Sequence, residues 1–295
     1  MKLRTVLLLA AVVLVALVAA TLLLGPSTPA AKPIPVPNGY DDFIAAGKLI
    51  AARTPDWQTL DLPALRTLVA SNAPALALVR TGLTKQCLVP PAGSRTNMDA
   101  YLERLAGFKR TALAFSAETR VAATDGRTNA AALAALDCIR FGQETVRGGP
   151  IIDHLVGVAI RALGFARLQP LLPALDAPTL KRATADLEHV WTTRETIAEV
   201  EANEARWVRA NFPLAQRTAY KFVSFFQPSL ARNPLAKLDP SYQQVAHTML
   251  DCAARAYEQE TGSPPAGVTN LGPRYLKAVP VEPATGRPMA LPGQR

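Results

Sequence analysis

Hydrophobic positions along this chain fall into three regimes. Residues 6–24 are apolar apart from Thr21, a run of about 19 residues, long enough to cross a hydrocarbon core of about 30 Å as a helix. Beyond Asn38 the apolar residues recur at spacings of three and four, which is the period of amphipathic helices rather than strands. From Gly262 the pattern dissolves into Pro and Gly.

The middle regime divides at its turn residues. Asn38 reads as a helix cap, with Asp41 and Asp42 favourable in the first turn, and that helix is expected to run to about Arg53, where Thr54-Pro55-Asp56 stops it. Asp61-Leu62-Pro63 starts a second, and Pro74 is expected to open a separate helix that ends near Gly82. Tyr101, Leu105, Phe108, Ala112 and Phe115 mark one helical face. Leu133, Leu136 and Ile139 repeat it beyond Asp125-Gly126-Arg127, which predicts an antiparallel helical hairpin. After Arg147-Gly148-Gly149-Pro150, the stretch from Ile151 to about Leu168 is apolar on nearly all sides and reads as a buried central helix. Gly157 and Gly164 would let a neighbour approach it closely.

Thr179 to about Asn211 reads as one long helix, with Leu180, Leu187, Val190, Ile197 and Val200 inward. Glu188, Glu195, Glu199, Glu201 and Glu204 take the remaining positions as a solvated face. Phe222, Phe225 and Phe226 precede a stretch broken by Pro228, Pro234 and Pro240 and are expected to cover the core. A last helix spans about Tyr242 to Glu260. The expected fold is all-α, built of antiparallel helical hairpins in a bundle, with a short irregular or hairpin-like tail.

Composition supports helices, because 49% of residues are hydrophobic while only 6% are aromatic, so the apolar content is mostly Ala, Leu and Val. Charge bears on location. Lys2 and Arg4 precede the apolar run and no charge follows until Lys32. The positive-inside bias therefore predicts a single-pass inner-membrane anchor, with a cytoplasmic N-terminus and a periplasmic or otherwise extracytoplasmic body. A cleaved signal ending near Val18-Ala19-Ala20 is the rival, although Leu22, Leu23 and Leu24 continue the apolar run past it. The expected divisions are an anchor over 1–24, a stiff Pro-rich spacer over 25–37, a helical domain over 38–261 and a tail over 262–295. The net charge of +9 comes from scattered basic residues without an aromatic-rich recognition motif, so nucleic acid is not an expected partner. The expected partners are the membrane, through the N-terminal helix, and an envelope protein.

Catalytic signatures are missing: G-x-S-x-G, G-x-x-x-x-G-K, G-x-G-x-x-G, H-E-x-x-H and C-x-x-C do not occur. Imidazoles are limited to His154, His189 and His247. Asp153-His154, just after the Gly-Gly-Pro turn, is the most chemical pairing, since a helix N-terminus attracts anions and Asp can orient an imidazole. A first-turn Asp beside a hydrogen-bonded His is the plainer reading. Glu188-His189 with Glu195 and Glu199 spreads around a helix and matches no metal site. Cys87, Cys138 and Cys252 are expected to be buried thiols, with Cys87 and Cys138 the preferred pair if a disulfide forms. No catalytic, cofactor-binding or metal-binding residue is assigned, and no cofactor is expected.

Two local resemblances add to this. The hairpin around Ala122-Ala123-Thr124-Asp125-Gly126-Arg127-Thr128-Asn129-Ala130-Ala131 resembles one tetratricopeptide unit, without a second copy at that period. The order Tyr257-Glu258-Gln259-Glu260-Thr261-Gly262-Ser263-Pro264-Pro265, Leu271-Gly272-Pro273-Arg274-Tyr275-Leu276, Val279-Pro280-Val281-Glu282-Pro283 and Thr285-Gly286-Arg287-Pro288 resembles the C-terminal segment of type II secretion pseudopilins. It is also similar to the tail of uncharacterised single-anchor bacterial envelope proteins. Met1 to Leu9 carries no prepilin-type cleavage site. These resemblances imply an interaction or scaffold protein of the envelope, with an exported enzyme of unrecognised motif or an accessory component of a secretion apparatus as the other readings.

Overall fold

The computed structural model describes residues 30–50, 57, 59–91, 97–213, 238–282 and 286–291. The apolar run over 6–24 and the Phe222, Phe225 and Phe226 cluster lie outside them. Among the described residues eight α-helices pack as a bundle, without a strand. They are α1 (Gly39–Leu49), α2 (Leu62–Gly82), α3 (Met98–Thr124), α4 (Thr128–Glu144), α5 (Ile151–Leu168), α6 (Ala177–Thr192), α7 (Ile197–Asn211) and α8 (Leu238–Thr261).

Asn38 does more than cap α1. Its Oδ1 accepts from the N–H of Tyr40 at 3.2 Å and of Leu88 at 3.0 Å, while its Nδ2 donates to the Leu88 carbonyl at 2.8 Å. A cap of this kind contributes about 1 kcal/mol, and here it also fixes the strand-like segment that follows α2. Pro74 does not open a new helix, because α2 runs through it. Ala70, whose carbonyl loses its partner at Pro74, is exposed, as is Pro74 itself, so water can satisfy what the ring leaves open.

The α3–α4 hairpin forms as expected, its turn made by Gly126 at φ 72°, but Leu133, expected on the inward face with Leu136 and Ile139, is exposed while those two are buried. The glycines of α5 also act as expected. A Cβ on Gly157 would stand 2.5 Å from the Gly142 carbonyl oxygen, and one on Gly164 would stand 2.6 Å from Ile139. Only hydrogen at these positions lets α4 and α5 approach this closely.

The long helix expected over Thr179–Asn211 is two helices. α6 ends at Thr192, and α7 begins after Thr196, whose hydroxyl accepts from the Glu199 N–H at 3.2 Å while Glu199 accepts from the Thr196 N–H at 2.8 Å. This reciprocal cap satisfies two orphan donors and stabilises a fresh helix start. The break places Glu195 in a connection, buried rather than on a solvated face, and leaves Ile197, expected inward, exposed at the start of α7.

Two apolar cores share α4 and α5. One gathers Tyr40, Phe43, Leu76, Phe108, Phe115 and Phe141, chiefly from α1 to α4. The other joins α4 to α8 through Leu136, Phe165, Leu187 and Met249, and extends into the tail at Leu271, Leu276 and Leu291. The tail is irregular, with a single antiparallel bridge between Val281 and Pro288. By length and hydropathy Leu62–Gly82 and Ile151–Ala174 are also candidate spans, yet both helices contribute to the packed bundle.

The bulkiest fully buried side chain is charged. Arg161 on α5 donates from Nη1 to Gln143 Oε1 at 3.2 Å and to the Gly142 carbonyl at 3.4 Å. Its Nε and Nη2 donate to Ser241 Oγ at 3.3 and 3.1 Å, and the guanidinium lies 4.7 Å from the centre of the Tyr242 ring. Burial lowers its pKa, against the opposing influence of Tyr242. Among the described residues no carboxylate pairs with it, so neutral acceptors and one aromatic face hold the charge.

Candidate functional site

The turn before α5 is pinned from several sides. Val89 donates its N–H to the Arg147 carbonyl at 2.8 Å, and Gly148, at φ 78°, leaves room for Leu88, which a Cβ there would meet at 2.9 Å. Gly148 donates its N–H to Glu195 at 2.9 Å, and Ile151, the first residue of α5, donates to Glu204 at 2.9 Å. Carboxylates from the α6–α7 connection and from α7 thus occupy the helix N-terminus, where its dipole favours negative charge.

Beside this turn lies a cavity of about 340 Å³. Val89, Pro90, Pro91 and Pro150 form its apolar wall; Tyr101 and Arg104 of α3 and Asn203, Arg206 and Trp207 of α7 supply its polar and aromatic lining. Tyr101 and Trp207 pack with ring centres 5.9 Å apart. The Arg104 guanidinium lies 4.7 Å from the Tyr101 ring centre and 5.6 Å from that of Tyr40. Arg206 donates to Asn203.

Around this cavity, hydrogen-bonding capacity is left unused. Eight buried side-chain nitrogens and oxygens lack a partner among the described residues, and six of them belong to Tyr40, Arg104, Asp153, His154 and Trp207. Arg104 and Trp207 line the cavity, Tyr40 and Asp153 stand one contact behind it, and His154 stands farther back, behind Glu195. Buried polar groups without partners are rare in proteins, so this concentration needs a cause.

Asp153 and His154 are both buried but work separately. Asp153 accepts from the Tyr101 hydroxyl at 2.9 Å. Burial pushes its carboxyl up to about 7, against the Tyr101 hydrogen bond and the Arg104 charge, with Glu204 adding to the rise. Burial also raises Glu204, despite the Ile151 N–H. His154 places Nε2 3.3 Å from Glu195, near enough for attraction but not aligned as a hydrogen bond. Burial alone would raise Glu195; His154, the Gly148 N–H and the Lys32 charge outweigh it and hold that carboxyl below its ordinary value.

Residues 30–35 carry no regular secondary structure and 36–37 form a bend, and Lys32 and Ile34 lie against the domain rather than standing clear of it. Lys32 Nζ reaches Glu199 at 3.2 Å and Glu195 at 3.6 Å. Ala31, Lys32 and Ile34 line a small recess with Val89, Pro91, Gly148, Asn203 and Arg206, all five of which also line the main cavity.

No protein-family model, curated protein or solved structure matches this chain.

Glu188, His189, Glu195 and Glu199 do not converge. Glu188 accepts from the Lys277 N–H, His189 meets Glu144 at 2.8 Å, and Glu199 caps α7. Among the described residues no group of three or more His, Cys, Asp or Glu is placed to hold a metal ion. Cys87, Cys138 and Cys252 are all unpaired and buried, and burial raises each thiol above its ordinary pKa, leaving them unreactive. Arg104, Arg206 and Trp207 were not singled out by sequence reasoning, and Tyr101 registered only as one of a helical face. Thr196-x-x-Glu199 was the available signal, because a capping box there ends the preceding helix and turns Glu195 inward.

Proposed function

We propose that this protein is a membrane-anchored, extracytoplasmic binding protein of a bacterial envelope, an interaction component rather than a catalyst. The apolar run over 6–24 supplies the anchor and the helical bundle supplies a recognition surface beside the cavity. The observation that carries this reading is a cavity bordered by Tyr101, Arg104, Arg206 and Trp207 in which Arg104 makes no hydrogen bond or ion pair among the described residues, while no imidazole lines it. A binding site leaves donors open to a ligand, and of the usual acid–base side chains among the described residues only Tyr101 borders this cavity, its hydroxyl already donating to Asp153. The pseudopilin-like tail supports a role in an envelope assembly.

Capture of the full-length protein from mild-detergent membranes tests this. The expected result is a stoichiometric envelope partner, together with protection of the N-terminus and exposure of the domain to protease on the outer side of the membrane. A domain accessible only from the cytoplasmic side would overturn the location, and a clean monomer would count against the scaffold role. One observation favours an enzyme instead: Asp153, with a carboxyl near neutral pKa, sits directly behind Tyr101. Hydrolysis of a generic ester or amide that Asp153→Asn abolishes would establish that reading.

A further inference from the structure

We propose that the cavity between α3, α7 and the turn before α5 is a binding site for a small monocarboxylate with an apolar or aromatic body, its carboxylate held by Arg104 and Arg206. This goes beyond the envelope reading and stands whether or not a protein partner is captured.

The chemistry of the lining selects the ligand. Arg104 stacks on two tyrosines, and among the described residues it makes no hydrogen bond or ion pair. A guanidinium held over aromatic faces keeps its hydrogen-bonding fork for a planar anion. Arg206, which also donates to Asn203, brings a second cation to the same cavity, and the Trp207 ring adds an aromatic wall. Two guanidiniums therefore border a space whose other wall is Val89, Pro90, Pro91 and Pro150.

The charge behind the cavity excludes a phosphate. A phosphate at a helix N-terminus draws on free backbone N–H groups, but those of Gly148 and Ile151 are already taken by Glu195 and Glu204. Asp153, Glu195 and Glu204 would also repel a dianion more than a monoanion. A carboxylate needs only the guanidinium fork. The volume of about 340 Å³ suits a molecule of roughly a dozen heavy atoms within the usual range of ligand pockets.

Isothermal titration of the full chain in non-ionic detergent with phenylacetate, phenyl phosphate and 2-phenylethanol tests this. Phenylacetate is expected to bind, with phenyl phosphate and 2-phenylethanol each at least about tenfold weaker, the loss expected when a charged group loses its match. Arg104→Met keeps the stem between Tyr40 and Tyr101 and is expected to weaken phenylacetate by about tenfold or more with an unchanged circular dichroism spectrum. Should that variant fail to fold, Arg206→Gln is expected to show the same loss. Absence of phenylacetate binding, equal binding of 2-phenylethanol, tighter binding of phenyl phosphate, or full binding in a folded Arg104→Met protein would each overturn the proposal.

Discussion

Two arginines in this bundle stand at the same distance from a tyrosine and serve opposite ends. Arg161 and Arg104 each lie 4.7 Å from a ring centre, of Tyr242 and Tyr101 respectively. Around Arg161 the nitrogens find a serine, a glutamine and a carbonyl, and the charge is enclosed with its hydrogen bonds made. Around Arg104 there is an open cavity, a second tyrosine and no acceptor among the described residues. The same side chain in similar aromatic company is thus a structural keystone where neutral acceptors surround it, and a waiting donor where space does. What separates them is satisfaction of hydrogen bonds together with burial, Arg161 being fully buried and Arg104 only half-buried.

This contrast is open to perturbation, beginning with the largest effect. Arg161→Ala strips four hydrogen bonds from buried groups and leaves a cavity, and is expected to cost about 3–5 kcal/mol in urea unfolding. Arg104→Ala removes aromatic contacts and a charge that acts on Asp153 but no hydrogen bond, so its stability should stay within about 1 kcal/mol of the parent. Equal costs for the two would erase the distinction.

Next in size, Gly157→Ala forces a methyl toward the Gly142 carbonyl and Val146, and should cost about 1–3 kcal/mol by overpacking beside the Arg161 region. The same change at Gly126 meets nothing within 4 Å but strains a backbone at φ 72°, and is expected to cost about 1 kcal/mol. Thermal melts compare the two, and a neutral Gly157→Ala would mean that α4 and α5 can separate freely.

The Arg104 side should carry a pH dependence that the Arg161 side lacks. Asp153 titrates at about 7 in the folded protein against an ordinary value of 3.8. Between those values the folded state holds a proton that the unfolded state has lost, so this group's contribution to stability is full below about 3.8, falls as pH rises toward 7 and is gone above it. Asp153→Asn should flatten stability between pH 4 and 7 and leave the protein more stable than the parent at pH 8, by about 1–3 kcal/mol. Denaturation midpoints across that range would contradict this if parent and variant ran parallel. The smallest effect belongs to Lys32→Ala, because that side chain is more than half exposed. A loss under about 1 kcal/mol is expected, and less in high salt.

Much of the bundle was legible because helical periodicity is local. The α3–α4 hairpin followed from Tyr101, Leu105, Phe108 and Phe115 meeting Leu136 and Ile139 across Asp125-Gly126-Arg127, and the Gly157–Gly164 face foretold a close neighbour. The α6–α7 break was not read, since Leu187, Val190, Ile197 and Val200 keep helical register across it and only the Thr196–Glu199 cap declares it. Pro74 reads in the opposite direction, as a helix start, yet α2 continues through it, with Pro74 and Ala70 both exposed. The cavity itself was out of reach. Val89, Arg104, Gly148 and Trp207 come from four separate elements, and no local spacing records which of them will share a space or which donors will be left unpaired. Glu195 and Glu204 looked like a solvated face until a helix N-terminus was packed against them.

The central claim is that Arg104 awaits an anion and Arg161 does not. The most direct test is the ¹⁵N-detected Nε–H resonances of the two arginines during a titration of the full chain with phenylacetate, assigned through Arg104→Met and Arg161→Lys. The Arg104 resonance is predicted to shift progressively and saturate while that of Arg161 stays fixed. A shift at Arg161 with Arg104 unmoved, or no shift at either, would contradict it.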